Sequence, residues 1–152
     1  MASITLEGFD ASYPDLEPLY REHYAEMRSR LASDGIAIPD YAPRLDEYSK
    51  ASVGGYLLTF VLREDGKAIG YSNVYLTNDM HNGEFIAQED TIFVTASKRN
   101  GAGRMLVKHI LADLNQRGVK RAIISPVTDL RVGKIWRRMG FKPMSELMVY
   151  NF

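Results

Sequence analysis

SKRNGAGRMLVKH, Ser97–His109, is the most informative segment of the chain. Gly101 and Gly103 stand one residue apart, directly before apolar positions at helical spacing, with Lys98, Arg99 and Arg104 around them. A glycine-lined, positively charged turn at the start of a helix suits a polyphosphate. Exposed N–H groups and the positive end of the helix dipole, about half a charge, form an anion site there. Glycine lets the backbone approach the ligand with no Cβ in the way. Upstream, EFIAQEDTIFV reads as a strand running into this loop, and downstream KRAIIS reads as a buried strand after the helix.

The chain has 152 residues, which suits one domain spanning 1–152 with a sizeable core. Apolar residues make up 45% and charged residues 25%, ordinary values for a globular protein. It contains no cysteine, which excludes disulfides, thiolate metal sites and a cysteine nucleophile. MASITLEGFD lacks a basic n-region and an apolar core, and the longest apolar-looking run, GYLLTFVL, is too short for a bilayer. A soluble cytoplasmic protein without a membrane segment is expected. The zero net charge conceals an asymmetry. Residues 1–97 carry 7 Lys/Arg against 16 Asp/Glu, whereas residues 98–142 carry 12 Lys/Arg against Asp113 and Asp129 alone. A basic half that faces a polyanion and an acidic half that attracts a cation would produce this pattern.

Outward from the loop, SITLEG is a short first strand. SYPD has the form of a helix start, with Pro14 in the first turn, and Leu16, Leu19, Tyr20, His23, Tyr24, Met27 and Leu31 continue it for about five turns. RLDEYSKA is a second, short helix. YLLTFVLR and AIGYSNVYLT flank Asp65-Gly66, a strong hairpin signal. Leu106, Val107, Ile110, Leu111 and Leu114 form one stripe of a helix that Gly118 stops. Thr128 or Asp129 is positioned to cap a further helix through LRVGKIWRRM, ended by Gly140, and SELMVYNF supplies a last strand. The expected order is β-α-α-β-β-β-α-β-α-β, an α/β chain of the α+β type with a mixed sheet.

Two common phosphate motifs do not fit the loop. A P-loop needs Gly-Lys-Ser/Thr, and Gly103 is followed by Arg104-Met105; a dinucleotide fingerprint needs a small residue at 106, which is leucine. A strand ending in TIFV, then KRNGAG, a helix, a strand, and IWRRMGF before the C-terminus resembles the GCN5-related N-acetyltransferase (GNAT) superfamily. DMHNGEFIAQEDTIFVTASKRNG is similar in particular to small acetyltransferase-like proteins of tailed phages, which would place the chain in a host cytoplasm.

That resemblance implies acetyl-CoA as co-substrate, with its pyrophosphate on Lys98, Arg99, Asn100, Gly101, Ala102, Gly103 and Arg104. It implies that the backbone of Phe93 and Val94 holds the pantetheine arm and the acetyl carbonyl. Acyl transfer to an amine needs a deprotonated amine, and Glu89 and Asp90 are the expected bases, directly or through water. Strand alternation sends them to opposite faces, so at most one is expected to meet the acceptor. His81 and Tyr41 are expected to bind the acceptor, with Tyr48, Asp40, Asp46 and Glu47 as further cation-recognising groups. Where the family carries its general-acid tyrosine, this chain has Trp136, and Asp129 stands in the place of an asparagine. The three histidines are too scattered for a metal site, and none is expected.

The leading expectation is an N-acetyltransferase that moves acetyl from acetyl-CoA to a primary amine by direct attack, on a small-molecule or a protein acceptor. The alternative is a catalytically inactive domain of the same fold, kept for binding or as a structural, phage-type protein. A nucleic-acid surface over residues 98–142 ranks last, because no nucleic-acid module is recognisable. A homodimer is compatible with the sequence.

Overall fold

The computed structural model describes residues 1–127 and 130–152. Its elements run β1 (Ala2–Glu7), α1 (Phe9–Ser33), α2 (Leu45–Val53), β2 (Leu57–Glu64), β3 (Lys67–Asn78), β4 (Phe85–Val94), α3 (Ala102–Gln116), β5 (Arg121–Ile123) and α4 (Val132–Arg138), with a 3-10 turn at Ala96–Lys98 between β4 and α3. The five strands form one sheet in the order β1-β2-β3-β4-β5. The first three pairings are antiparallel and β4–β5 is parallel. This is the mixed sheet expected from the loop and its flanking strands.

The sheet grows from its hairpin. Asp65 at φ 51° and Gly66 at φ 81° form the two-residue, left-handed turn that matches the twist of the strands on either side. The β2 and β3 strands are buried along most of their length because both sheet faces are covered. On one face Phe9, Leu16, Leu19 and Tyr20 of α1 and Ala51 of α2 pack on Leu57, Val61, Tyr71 and Phe93. On the other, Leu106, Ile110 and Leu114 of α3 pack on Leu58, Phe60, Val74 and Ala87. A polar bridge crosses the first face: Thr59 Oγ1 donates to Asn73 Oδ1 at 2.8 Å, and the Asn73 amide donates to the Tyr20 hydroxyl. All three residues are buried and mutually satisfied, as buried polar groups must be.

Three local expectations are corrected. The α1 helix begins at Phe9, not Ser12, and runs 25 residues through Pro14 and Pro18. Its start is set by tertiary partners: Ser52 Oγ accepts the Phe9 N–H at 3.0 Å, and Phe9 stacks on Tyr13 and Tyr48. Ser12 is a buried helix residue whose hydroxyl donates back to Gly8 C=O at 2.9 Å. KRAIIS gives a strand of three half-buried residues, because β5 is a sheet edge. SELMVYNF forms no strand; the chain past Gly140 is irregular, with Leu147, Met148, Val149 and Tyr150 exposed. Alternating apolar residues suit a strand only where a partner strand exists, and no ladder reaches this segment. The expected helix cap at Thr128 or Asp129 lies outside the described residues.

Candidate active site

The β4–β5 ladder is short. Ile86, Ala87 and Gln88 pair with Arg121, Ala122 and Ile123, and beyond them the two parallel strands part. Into this gap opens a cleft of about 1340 Å³. One wall is β4 from Gln88 to Val94; Ile124–Val127 and Trp136 of α4 form another, and His23, Glu26 and Met27 of α1 a third. Gly101, Gly103, Arg99 and Arg104 close its end.

Gly101 is the N-cap of α3, at φ 80°, a left-handed conformation that L side chains rarely adopt. The first bond of the turn is Met105 N–H to Gly101 C=O, 3.1 Å. The N–H groups ahead of it have no intrahelical acceptor. A Cβ added at Gly103 would meet no protein atom within 4 Å, so the space beside it belongs to the cleft. Arg99 lies along the wall: its Nε donates to Val94 C=O at 2.7 Å, Nη2 to Glu26 at 2.6 Å, and its guanidinium covers the Phe93 ring at 5.2 Å. Glu22 holds the turn itself, accepting the Thr95 hydroxyl at 2.9 Å. Of the other loop residues expected to hold phosphate, Lys98 pairs with Glu64 at 2.6 Å, and Lys98, Asn100 and Ala102 do not line the cleft.

The edge of β4 that faces the cleft carries backbone groups. Thr95 donates its N–H to Ile69 C=O across β3 at 2.9 Å. Successive N–H groups of a strand point to opposite edges, so that of Val94 points into the gap. The Val94 C=O on the same edge is the one that accepts Arg99.

Glu89 and Asp90 both line the cleft. They do leave opposite faces of the strand: Glu89 pairs with Val74, which packs toward α3, and Asp90 reaches Tyr48 of α2. Both border the cleft because it opens at the strand's edge and is reached from either face. A bulge accompanies them, since Asn73 pairs with Thr91 and Val74 with Glu89, leaving Asp90 as the extra residue. Sequence alternation carried no sign of it. Glu89 Oε2 accepts the Ser125 N–H at 2.9 Å. Burial pushes its carboxyl up to about 7, with nearby Asp90 adding to the rise and the Ser125 bond opposing it. His23, also in the cleft, is lowered to about 4 by burial and is neutral near pH 7.

Two expected acceptor residues lie elsewhere. His81 is in the β3–β4 turn beside Asp79, at the opposite end of β4 from Val94, roughly 30 Å along the strand. Tyr41 lines a separate hollow with Arg21, Tyr24 and Arg28, its hydroxyl 3.0 Å from that of Tyr13. Trp136 is buried and lines the cleft; no tyrosine does so among the described residues. Among these residues no cluster of His, Asp or Glu could hold a metal ion, and no helix is long and apolar enough to cross a membrane. Ser125, Glu22 and Glu26 had no sequence signal, because each is joined to the site across at least 36 residues.

No curated protein sequence matches the chain. Among solved structures, a ribosomal-protein-alanine N-acetyltransferase from Brucella melitensis biovar Abortus 2308 superposes with a TM-score of 0.74 at 15% identity, covering 100% of this chain and 99% of that one. The aminoglycoside acetyltransferase meta-AAC0020, from an uncultured soil metagenomic sample, gives 0.74 at 13% identity, over 99% and 95%. A GCN5-related N-acetyltransferase from Ralstonia eutropha JMP134 gives 0.71 at 16%, over 99% of each chain. At these identities the likeness is one of fold. A family model for the Acetyltransferase (GNAT) family matches residues 13–141, from α1 through the glycine loop to the end of α4. The chain belongs to the GNAT acetyltransferase family.

Proposed function

We propose that the cleft binds acetyl-CoA and that the protein transfers its acetyl group to a primary amine by direct attack. The observation that carries this is a single one: the gap between β4 and β5 joins the open N-terminus of α3 at Gly101–Gly103 to the buried carboxyl of Glu89. The pyrophosphate sits on the first-turn N–H groups of α3, with Arg104 and Arg99 as counter-charges. Family members use acetyl-CoA, and the donor set here, amides and guanidinium groups around an unfilled glycine wall, fits its phosphates. The Val94 N–H polarises the thioester carbonyl, an oxyanion-type contact worth about 3 kcal/mol in a transition state.

Glu89 receives the proton. A carboxylate whose pKa lies near 7 is well matched to take a proton from an amine near neutral pH, directly or through one water. The amine nitrogen then bonds to the acetyl carbon, the C–S bond breaks, and CoA leaves as a thiolate. A thiol pKa near 8.5 makes that a good leaving group, so water suffices as the proton source where Trp136 replaces a tyrosine. With no cysteine in the chain, no acyl-thioenzyme intervenes.

The test measures thiol release from acetyl-CoA in the presence of amines. Glu89→Gln keeps an acceptor for the Ser125 N–H and is expected to lower kcat by about 10²–10⁴-fold, with cofactor affinity unchanged. Acetyl-CoA binding with no turnover on any amine would refute the proposal.

A further inference from the structure

Three carboxylates line the cleft: Glu26 is paired with Arg99, Glu89 is assigned to proton removal, and Asp90 remains. Asp90 is the bulge residue of β4, and two hydroxyls converge on one of its oxygens: Tyr48 donates to Oδ2 at 2.8 Å and Thr91 Oγ1 at 3.2 Å. Its other oxygen accepts no hydrogen bond among the described residues. Neither Asp90 nor Glu89 forms an ion pair among them, although Arg99, Arg104, Arg131 and Arg138 all line the same cleft. Among the described residues the cleft therefore has a cationic end, at Arg104 and the N-terminus of α3, and an anionic centre at the bulge that no ion pair neutralises.

Tyr48 is held independently of Asp90. Its ring stacks on Phe9 at 5.0 Å and 16°, and meets Tyr20 edge-on at 6.4 Å. Its phenol is raised by burial, so the hydroxyl is a donor throughout the working pH range. The aromatic core under α1 and α2 thus fixes the direction of a hydroxyl, and that hydroxyl fixes the direction of a carboxylate 42 residues away.

We infer that Asp90, positioned by Tyr48, is a specificity-determining residue that selects an acceptor bearing a second positive charge close to the amine that is acetylated. The inference rests on the reading of the cleft as an acetyl-transfer site. An acceptor with one amine offers its nitrogen to Glu89 and leaves Asp90 without a counter-ion. An acceptor with a second ammonium supplies one, at the β4 bulge of the cleft. Polyamine-like and aminosugar-like cations belong to this chemical class; neutral-tailed monoamines do not.

The test is calorimetric titration of spermidine and of butylamine into the protein, with and without CoA, at fixed low ionic strength. Wild type is expected to bind spermidine at least about tenfold more tightly than butylamine, a difference of 1.4 kcal/mol. Asp90→Asn should bring that ratio close to one. Tyr48→Phe, which keeps the aromatic stack, should lower the ratio while leaving the melting temperature and CoA affinity unchanged; a purely structural tyrosine would move the melting temperature and not the ratio. Equal affinities in wild type, or a preference that survives Asp90→Asn, overturn the inference. A wild-type ratio in Tyr48→Phe overturns the positioning role. Asp90-dependent spermidine binding without acetylation refutes acetyl transfer and overturns the selection of an acceptor, leaving Asp90 only a cation-binding group, whereas acetylation of both amines with equal kcat/KM supports acetyl transfer and refutes the inference.

Discussion

Gly103 is the second residue of α3, and replacing it with alanine separates the needs of the fold from those of the ligand. A Cβ there meets no protein atom within 4 Å, and the residue lies in a helix rather than at a positive φ. Alanine in a helix is favoured over glycine by about 0.5–1 kcal/mol, less in a first turn than in the interior. Gly103→Ala is therefore expected to raise Tm by about 1–2 °C. The added methyl points into space assigned to the pyrophosphate. Displacing one phosphate oxygen from one N–H removes a charge-assisted bond worth about 1.5–3 kcal/mol, or roughly 10–100-fold in affinity. Thermal melts give the first quantity and isothermal titration with acetyl-CoA the second. A variant that is more stable and binds less tightly satisfies both expectations. Unchanged affinity would mean that the α3 N-terminus is only a turn, and a lowered Tm would mean that the space beside Gly103 is not open.

Three further outcomes follow from named groups. With Glu89 as the proposed base in its ionised form, the kcat for amine acetylation should rise with pH through a midpoint of about 7, because burial raises its pKa; a midpoint near the ordinary 4.5 would remove Glu89 from that role. The same shift costs stability. The folded state holds a proton that the unfolded chain releases between about 4.5 and 7, so stability falls as pH rises through that window, by at most about 3 kcal/mol. Thermal melts of Glu89→Gln should accordingly show a Tm several degrees above wild type at pH 8 and equal to it near pH 4; no gain at pH 8 would show that the carboxylate is not buried at a cost. Asn73→Ala leaves the Thr59 and Tyr20 hydroxyls without their partner in the core, and should destabilise by about 3 kcal/mol in urea denaturation. A loss below about 1 kcal/mol would contradict the bridge.

The parts of the fold that local chemistry decides were legible in the sequence. Asp65-Gly66 specified a hairpin because few residues accept two left-handed positions in succession. Gly101, Gly103 and the stripe from Leu106 to Leu114 placed a glycine loop at a helix start, where the cleft ends. What failed to show depends on partners distant in sequence. The start of α1 waits on Ser52, and the expected last strand lacked a neighbour to pair with. His81 was placed at the site because it precedes β4, yet a strand of ten residues carries its two ends far apart. Glu89 and Asp90 were named from type and position, and both border the cleft, but their different surroundings were not legible. Those come from Ser125, 36 residues downstream, and Tyr48, 42 residues upstream.

The position proposed for acetyl-CoA is open to direct measurement. Titration of ¹⁵N-labelled protein with acetyl-CoA, followed by amide chemical shifts, reads this residue by residue. The predicted result is saturable shifts of Gly101, Ala102, Gly103, Arg104 and Val94, with the His81 turn and the hollow around Arg21 and Tyr41 unmoved. Shifts confined to those other regions, or none at millimolar cofactor, would contradict it.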